Sequence, residues 1–308
     1  MAGQRPRQRR RARRISARHL PARPRRQPRA SLDADAIRDT GDEIKSVRIA
    51  PNQPMERCRE HPDRGVKSTK TTNQFFMDLK QIVKEEKRIK EIIEREYVDS
   101  VGESEPIYDG IINSELYLQS KPRVLWILKE PYDNGETYGD PEDGGWSITE
   151  EINKNPDKWS RERVFRPICY INYGIWTCDD DWNYMPELND SEEIRNGIRK
   201  IAYINVSKLP GLKGTPGDRI VKAYQKHRGV ILDQIKTYEP NIIFACNPHM
   251  NLILKDLNFG ESEWKQFGTA ASIKISNAQR LVWVCHPSQR SVKRADYVND
   301  AIKAAIAD

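Results

Sequence analysis

Three short segments carry side chains able to do chemistry together. Lys129-Glu130-Pro131-Tyr132-Asp133 offers a carboxylate beside a phenol. Asn205, followed by Val206-Ser207-Lys208-Leu209-Pro210-Gly211, offers an amide. His286-Pro287-Ser288-Gln289-Arg290-Ser291 offers an imidazole followed by hydroxyls and a guanidinium. A carboxylate orients water and balances developing positive charge, and an imidazole can hold a hydrogen bond on a departing anion. An amide pairs one donor and one acceptor with a planar partner. Singly, each residue also has a plain structural use. Glu130 can be a solvated loop acid, Asn205 can satisfy neighbouring backbone groups, and His286 can be a turn residue before proline.

What joins the three is position. Four apolar runs stand out: residues 124–128, 201–205, 242–246 and 281–285. Each is five residues long and nearly continuous, as expected of strands buried on both faces of a parallel sheet. The Glu130 segment follows the first run, Asn205 ends the second, and His286 follows the fourth. Carboxyl ends of parallel strands border the ligand crevice of an open α/β sheet, so the three converge on one edge. Independent structural uses would have no reason to cluster there. Helical spacing covers Asn73 to Ile93 (Phe75, Phe76, Leu79, Ile82, Val83, Ile89, Ile92, Ile93), Asp218 to Tyr238, and Ala295 to Ile306 with Tyr297, Val298 and Ile302. The expected fold class is therefore α/β: a three-layer α/β/α sandwich on a mostly parallel, four-stranded central sheet. Residues 133–190, rich in Gly, Asp, Asn and aromatics without a clear period, are expected as long loops with short helices.

Composition bounds the rest. The 308 residues include 37% hydrophobic types, enough for a core, and no apolar run long enough to cross a membrane. Five scattered cysteines (Cys58, Cys169, Cys178, Cys246, Cys285) form no CxxC pair. That argues against a disulfide framework, a zinc site or an iron–sulfur cluster, and for a reducing, cytoplasmic setting. The net charge of +7 is uneven: residues 1–30 hold twelve arginines and no acid, and the remainder sets 40 basic against 45 acidic residues, a formal −5. Attraction to nucleic acid must come from that tail or from a local patch. The expected organisation is a disordered Arg-rich tail at 1–30, a polar linker at 31–71 and a single α/β domain at 72–308. The tail reads equally as a nucleic-acid-binding arm, an organelle transit peptide, or translated sequence upstream of a later start at Met55 or Met77.

At these motifs the chain resembles the uracil-DNA glycosylase superfamily. A strand followed by Glu130-Pro131-Tyr132 is similar to its first motif. His286-Pro287-Ser288, continuing through Ser291, Val292 and Arg294, is similar to its last, and Asn205 to its strand-end asparagine. The resemblance spans roughly residues 107–305 by order of elements, with about twenty residues in the specific motifs. Glu130 is one methylene longer than the Asp or Asn of better-known branches, Asp133 stands where one branch has histidine, and the iron–sulfur cysteines are missing. The resemblance implies metal- and cofactor-free hydrolysis of an N-glycosidic bond in uracil-containing or damaged DNA, by a monomer that flips the base out of the stack. Glu130 and His286 would be catalytic, and Asn205 would read the base edge. Tyr132 would close the pocket, with Phe165, Tyr170 or Tyr173 stacking on the base. Ser288 and Arg290 would hold phosphate and the vacated stack. Lys208, Lys213, Arg219, Lys293 and Arg294 would supply local positive charge. Two other readings stay open: a catalytically silent module binding nucleic acid or protein, and a hydrolase of small nucleoside-like substrates.

Overall fold

The computed structural model describes residues 68–98, 105–132, 144–211, 217–246, 250–257 and 263–307, all within one compact unit, Glu56–Asp308. The tail, most of the expected linker, all of residues 133–143 and Lys213 lie outside the described residues.

The four apolar runs form strands β2 (Val124–Leu128), β3 (Ala202–Asn205), β4 (Ile242–Ala245) and β7 (Arg280–Trp283). They lie side by side and parallel in the order β3-β2-β4-β7. The sheet is larger than expected, with seven strands among the described residues rather than four. β1 (Gly110–Ile111) adds antiparallel to β3, and the hairpin β5 (Lys265–Phe267) and β6 (Ala270–Lys274) adds antiparallel beyond β7. These edge strands carried no apolar run: β1 is two residues long, and Ala270, Ala271 and Ser272 have little β-propensity.

Side chains alternate along β2 between two buried cores, which is why continuous apolar runs were required. Val124, Trp126 and Leu128 enter one core, where α5 (Phe165–Thr177) and α9 (Arg294–Ile306) pack; Leu125 and Ile127 enter the other, beneath α1 (Ser68–Val98) and α7 (Gly217–Tyr238). Trp126 shows the packing on the first side. Its ring stacks on Phe244 at 4.1 Å, and its Nε1 donates to Asn172 of α5 at 3.2 Å.

Three helices differ from expectation. α1 begins at Ser68, ahead of Asn73, and Val83 faces solvent at 52% exposure, while Ile82, Ile89, Ile93 and Tyr97 are buried. α5 falls in the segment expected as loops. Nine of its thirteen residues are buried, and it lies within a long segment rich in Gly, Asp and Asn that hides it from a reading by period. It is flanked by short helices α2 (Ser114–Gln119), α3 (Ile148–Lys154), α4 (Pro156–Arg161) and α6 (Glu192–Gly197), with α8 (Met250–Asp256) after β4. α7 kinks at His227 (φ −115°, ψ 16°), whose ring stacks on Tyr97 and bonds Glu96. One cysteine expectation is amended: Cys178 is disulfide-bonded, whereas Cys169, Cys246 and Cys285 are free. Among the described residues, no helix is long and apolar enough to cross a membrane, and no cluster of three His, Cys, Asp or Glu side chains could hold a metal.

Candidate functional site

All three motifs sit at the carboxyl edge of the parallel strands. Leu128 and Asn205 are register partners, so Glu130 leaves β2 two residues beyond the level of Asn205. The chain segments after β2 and β3 stay bonded as they leave the sheet: Val206 donates to Leu128, Ser207 to Lys129, and Gly211 to Pro131 at 2.7 Å. Tyr132 bridges Gly211 and is 53% exposed.

Glu130 is enclosed by this arrangement, its side chain 5% exposed and 3.7 Å from the Arg219 guanidinium at the start of α7. Burial raises its pKa to about 7, against the lowering pull of Arg219 and Lys129. Gly211 makes room for the carboxylate: a Cβ there would stand 2.2 Å from Glu130 Cδ. Only glycine lets the backbone come so close.

Asn205 has no solvent exposure. It shares the α5 face of β3 with Tyr203, whose ring meets Phe165 at 5.1 Å. Neither its amide oxygen nor its amide nitrogen meets a hydrogen-bond partner among the described residues. The Tyr203 hydroxyl adjoins the amide without completing a bond in good geometry. An unmatched buried amide costs about 1–3 kcal/mol, a cost a ligand edge would remove.

His286 is oriented by its own turn. Its Nδ1 lies 2.9 Å from Ser288 Oγ and accepts from the Ser288 backbone N–H at 3.3 Å. That bond leaves Nδ1 unprotonated and places the ring proton on Nε2. Burial, helped by the Lys129 and Arg163 charges, lowers the imidazole to about 4, so it stays neutral near pH 7. The turn is stapled by Gln289, which bonds Val292 and Ser291, and Tyr297 of α9 donates to the Cys285 carbonyl at 2.8 Å. Lys129 acts electrostatically on both Glu130 and His286, so the ends of β2 and β7 face one region.

Several assigned residues need correction. Lys208 cannot meet a phosphate: it has no solvent exposure and is paired internally with Asp109 at 2.7 Å. Tyr170 is a core residue, 1% exposed, its hydroxyl accepting from the Leu188 amide. Tyr173 sits further along α5, near Glu193 and Asp179. Phe165, though 3% exposed, stands at the start of α5 beside Tyr203, which shares the strand face of Asn205. Ser288 holds His286, while Arg290, Lys293 and Arg294 are exposed around the same turn.

Sequence reasoning missed Arg163 and Arg166, which flank the first residue of α5. Partial burial, then the charges of Arg166 and Arg163, lowers Arg294, so the three guanidinium groups share one neighbourhood. Arg163 lies in the turn just before α5 and Arg166 in its first turn, and nothing in the sequence tied these arginines to the His286 turn. Gly211 carried a signal, Leu209-Pro210-Gly211 directly after a strand, that only the Glu130 contact explains. No family model and no curated protein matches this chain.

Proposed function

We propose that the chain is a DNA N-glycosidase that removes uracil or a related damaged base, a divergent relative of the uracil-DNA glycosylases on an α/β/α fold. The observation that carries this reading is the Asn205 amide, fully buried at a strand end with both polar atoms unmatched. Uracil presents a carbonyl beside an N–H, the complement of one amide. A site built to bond such an edge rejects bases that leave its groups unpaired.

The flanking groups fit the bond cleavage. His286, neutral with its proton on Nε2, can donate to the base oxygen as negative charge develops there. Glu130, as carboxylate, can balance the cationic sugar and orient the attacking water. Phe165 supplies an aromatic wall and Tyr132 a lip. Arg163, Arg166, Arg290, Lys293 and Arg294 give the local positive charge that a body of net −5 lacks, and they suit phosphates beside an extruded nucleotide.

The test is base release from oligonucleotides carrying uracil, thymine, cytosine or hypoxanthine, for the wild type and Asn205→Asp. The wild type should release uracil fastest. The carboxylate, unable to donate when ionised, should lower uracil release by about 100-fold or more, the scale set by sites that bond a substrate edge. An unchanged rate in Asn205→Asp would remove the amide from the reaction.

A further inference from the structure

Asn205 has its backbone N–H and C=O both held by a buried ion pair. Its N–H donates to Asp109 Oδ2 at 2.7 Å, and its carbonyl accepts from Lys208 Nζ at 2.9 Å. Lys208 Nζ also donates to Asp109 Oδ1 at 2.7 Å and to Gln234 Oε1 at 2.9 Å, so all three ammonium protons are used. Gln234 Nε2 returns a bond to Asp109 Oδ1 at 3.0 Å, and the Lys208 backbone N–H donates to Tyr97 Oη at 3.2 Å. Both charged side chains are 0% exposed. The clamp draws on α1, α7, β3 and the residue before β1, and it lies toward α1 and α7, whereas the Asn205 side chain shares the α5 face with Tyr203.

Burying a charge pair is a poor way to gain stability, because desolvation offsets most of the attraction; such pairs are better suited to fixing one arrangement. Here the arrangement fixed is the pair of peptide groups on either side of the Asn205 Cα, which carries the unmatched amide. Asn205 is the last residue of β3, and although the chain beyond it stays bonded to the β2 side, the short strand β1 pairs only with Ala202 and Tyr203 and leaves the other side of Asn205 to the clamp. We infer that Asp109 and Lys208 are positioning residues that set the height and direction of the Asn205 amide for base recognition, with Gln234 holding the pair in register. The inference rests on the base-reading role proposed for Asn205. Asp109 and Lys208 touch no substrate; they act through the Asn205 backbone.

The experiment compares wild type with Asp109→Asn/Lys208→Met, which leaves no lone buried charge, and with Gln234→Met, which removes one acceptor and no charge. Folding is checked by circular dichroism and melting. With a uracil-containing oligonucleotide, kcat should fall by about 100-fold or more in the double variant, as misplacement by about 1 Å does, and less in Gln234→Met. KM should change little, and the preference for uracil over cytosine should narrow. If folded variants keep the wild-type kcat and base preference, the pair is only structural and the inference falls. A second readout does not need turnover: the Asn205 side-chain amide signal in nitrogen-labelled protein titrated with free uracil. A shift in wild type that is lost in the variants supports the clamp even if no base leaves DNA, in which case only the glycosidase reading fails. Equal shifts overturn the clamp alone. No shift and no base release in wild type overturn both.

Discussion

At the scale of single residues, the site sets its own pH dependence. Burial raises the Glu130 pKa to about 7, and the proposed reaction calls for its carboxylate. His286 titrates near 4, well below the working range, and stays neutral. The log of kcat/KM should therefore rise with pH to a plateau above about 7, and Glu130→Gln should flatten that limb while lowering the plateau about 100-fold or more. A limb that persists in Glu130→Gln would assign the titration elsewhere. Gly211→Ala separates placement from stability. The added Cβ would press on the Glu130 carboxylate, the movable end of a side chain, so the melting temperature should shift by only a few degrees, about 1 kcal/mol. Activity should drop nearly as far as in Glu130→Gln. Retained activity would show that Glu130 has room to move without consequence. The strand-end placement of Glu130, Asn205 and His286 was legible in the sequence, because unusual polar types ended apolar runs. The exposure expected of Lys208 was not. A lysine three residues past a strand looks exposed until its buried acid, Asp109, is found 99 positions away.

At the scale of elements, periodicity located α1, α7 and α9 and the four parallel strands, because each has a face or a run that solvent must not reach. It missed α5, whose burial is almost complete, and the edge strands, which are two, three and five residues long and carry no apolar run. The β5–β6 turn depends on Gly268 (φ +54°), with the Thr269 N–H donating to Asp300 of α9 at 2.7 Å, a contact across 31 residues that local pattern cannot reveal. The packing of α1 on β1 also buries Glu86, which accepts from the Ile111 N–H and lies beside Tyr238. Burial raises Glu86 from 4.5 to about 7. A raised carboxyl pKa contributes stability that is fully present below about 4.5 and lost as pH rises through about 7. Glu86→Gln mimics the protonated acid. Its stability relative to wild type should therefore increase from pH 5 to pH 8, by up to about 3 kcal/mol, in urea titrations at both values. The comparison cancels the opposite contributions of His227 and His286, present in both proteins. A difference independent of pH would mean that Glu86 is not the titrating group.

At the scale of the molecule, charge is divided between a body of net −5 and twelve arginines in residues 1–30. The local cations at the site are few, so binding through them alone should depend weakly on salt. Fluorescence anisotropy with a short oligonucleotide should give a steeper log K against log salt slope for the full chain than for one beginning at residue 31, with kcat on bound substrate alike in both. Equal slopes would exclude the arginine segment from binding. The α/β class and the sheet edge where the three motifs meet could be read from sequence because both follow from strand order. The grip on Asn205 could not, since it joins Asp109, Lys208 and Gln234 from three separate stretches of chain.

The central claim is that Asn205, His286 and Glu130 serve one reaction on one base. Its most direct test is mass-spectrometric detection of free uracil from single- and double-stranded uracil-containing oligonucleotides. The wild type should release uracil and leave an abasic site, and Glu130→Gln and His286→Ala, folded alike, should each release it about 100-fold more slowly or worse. Folded wild type that leaves the uracil bond intact in both substrates, or variants that cleave it at the wild-type rate, would contradict the account.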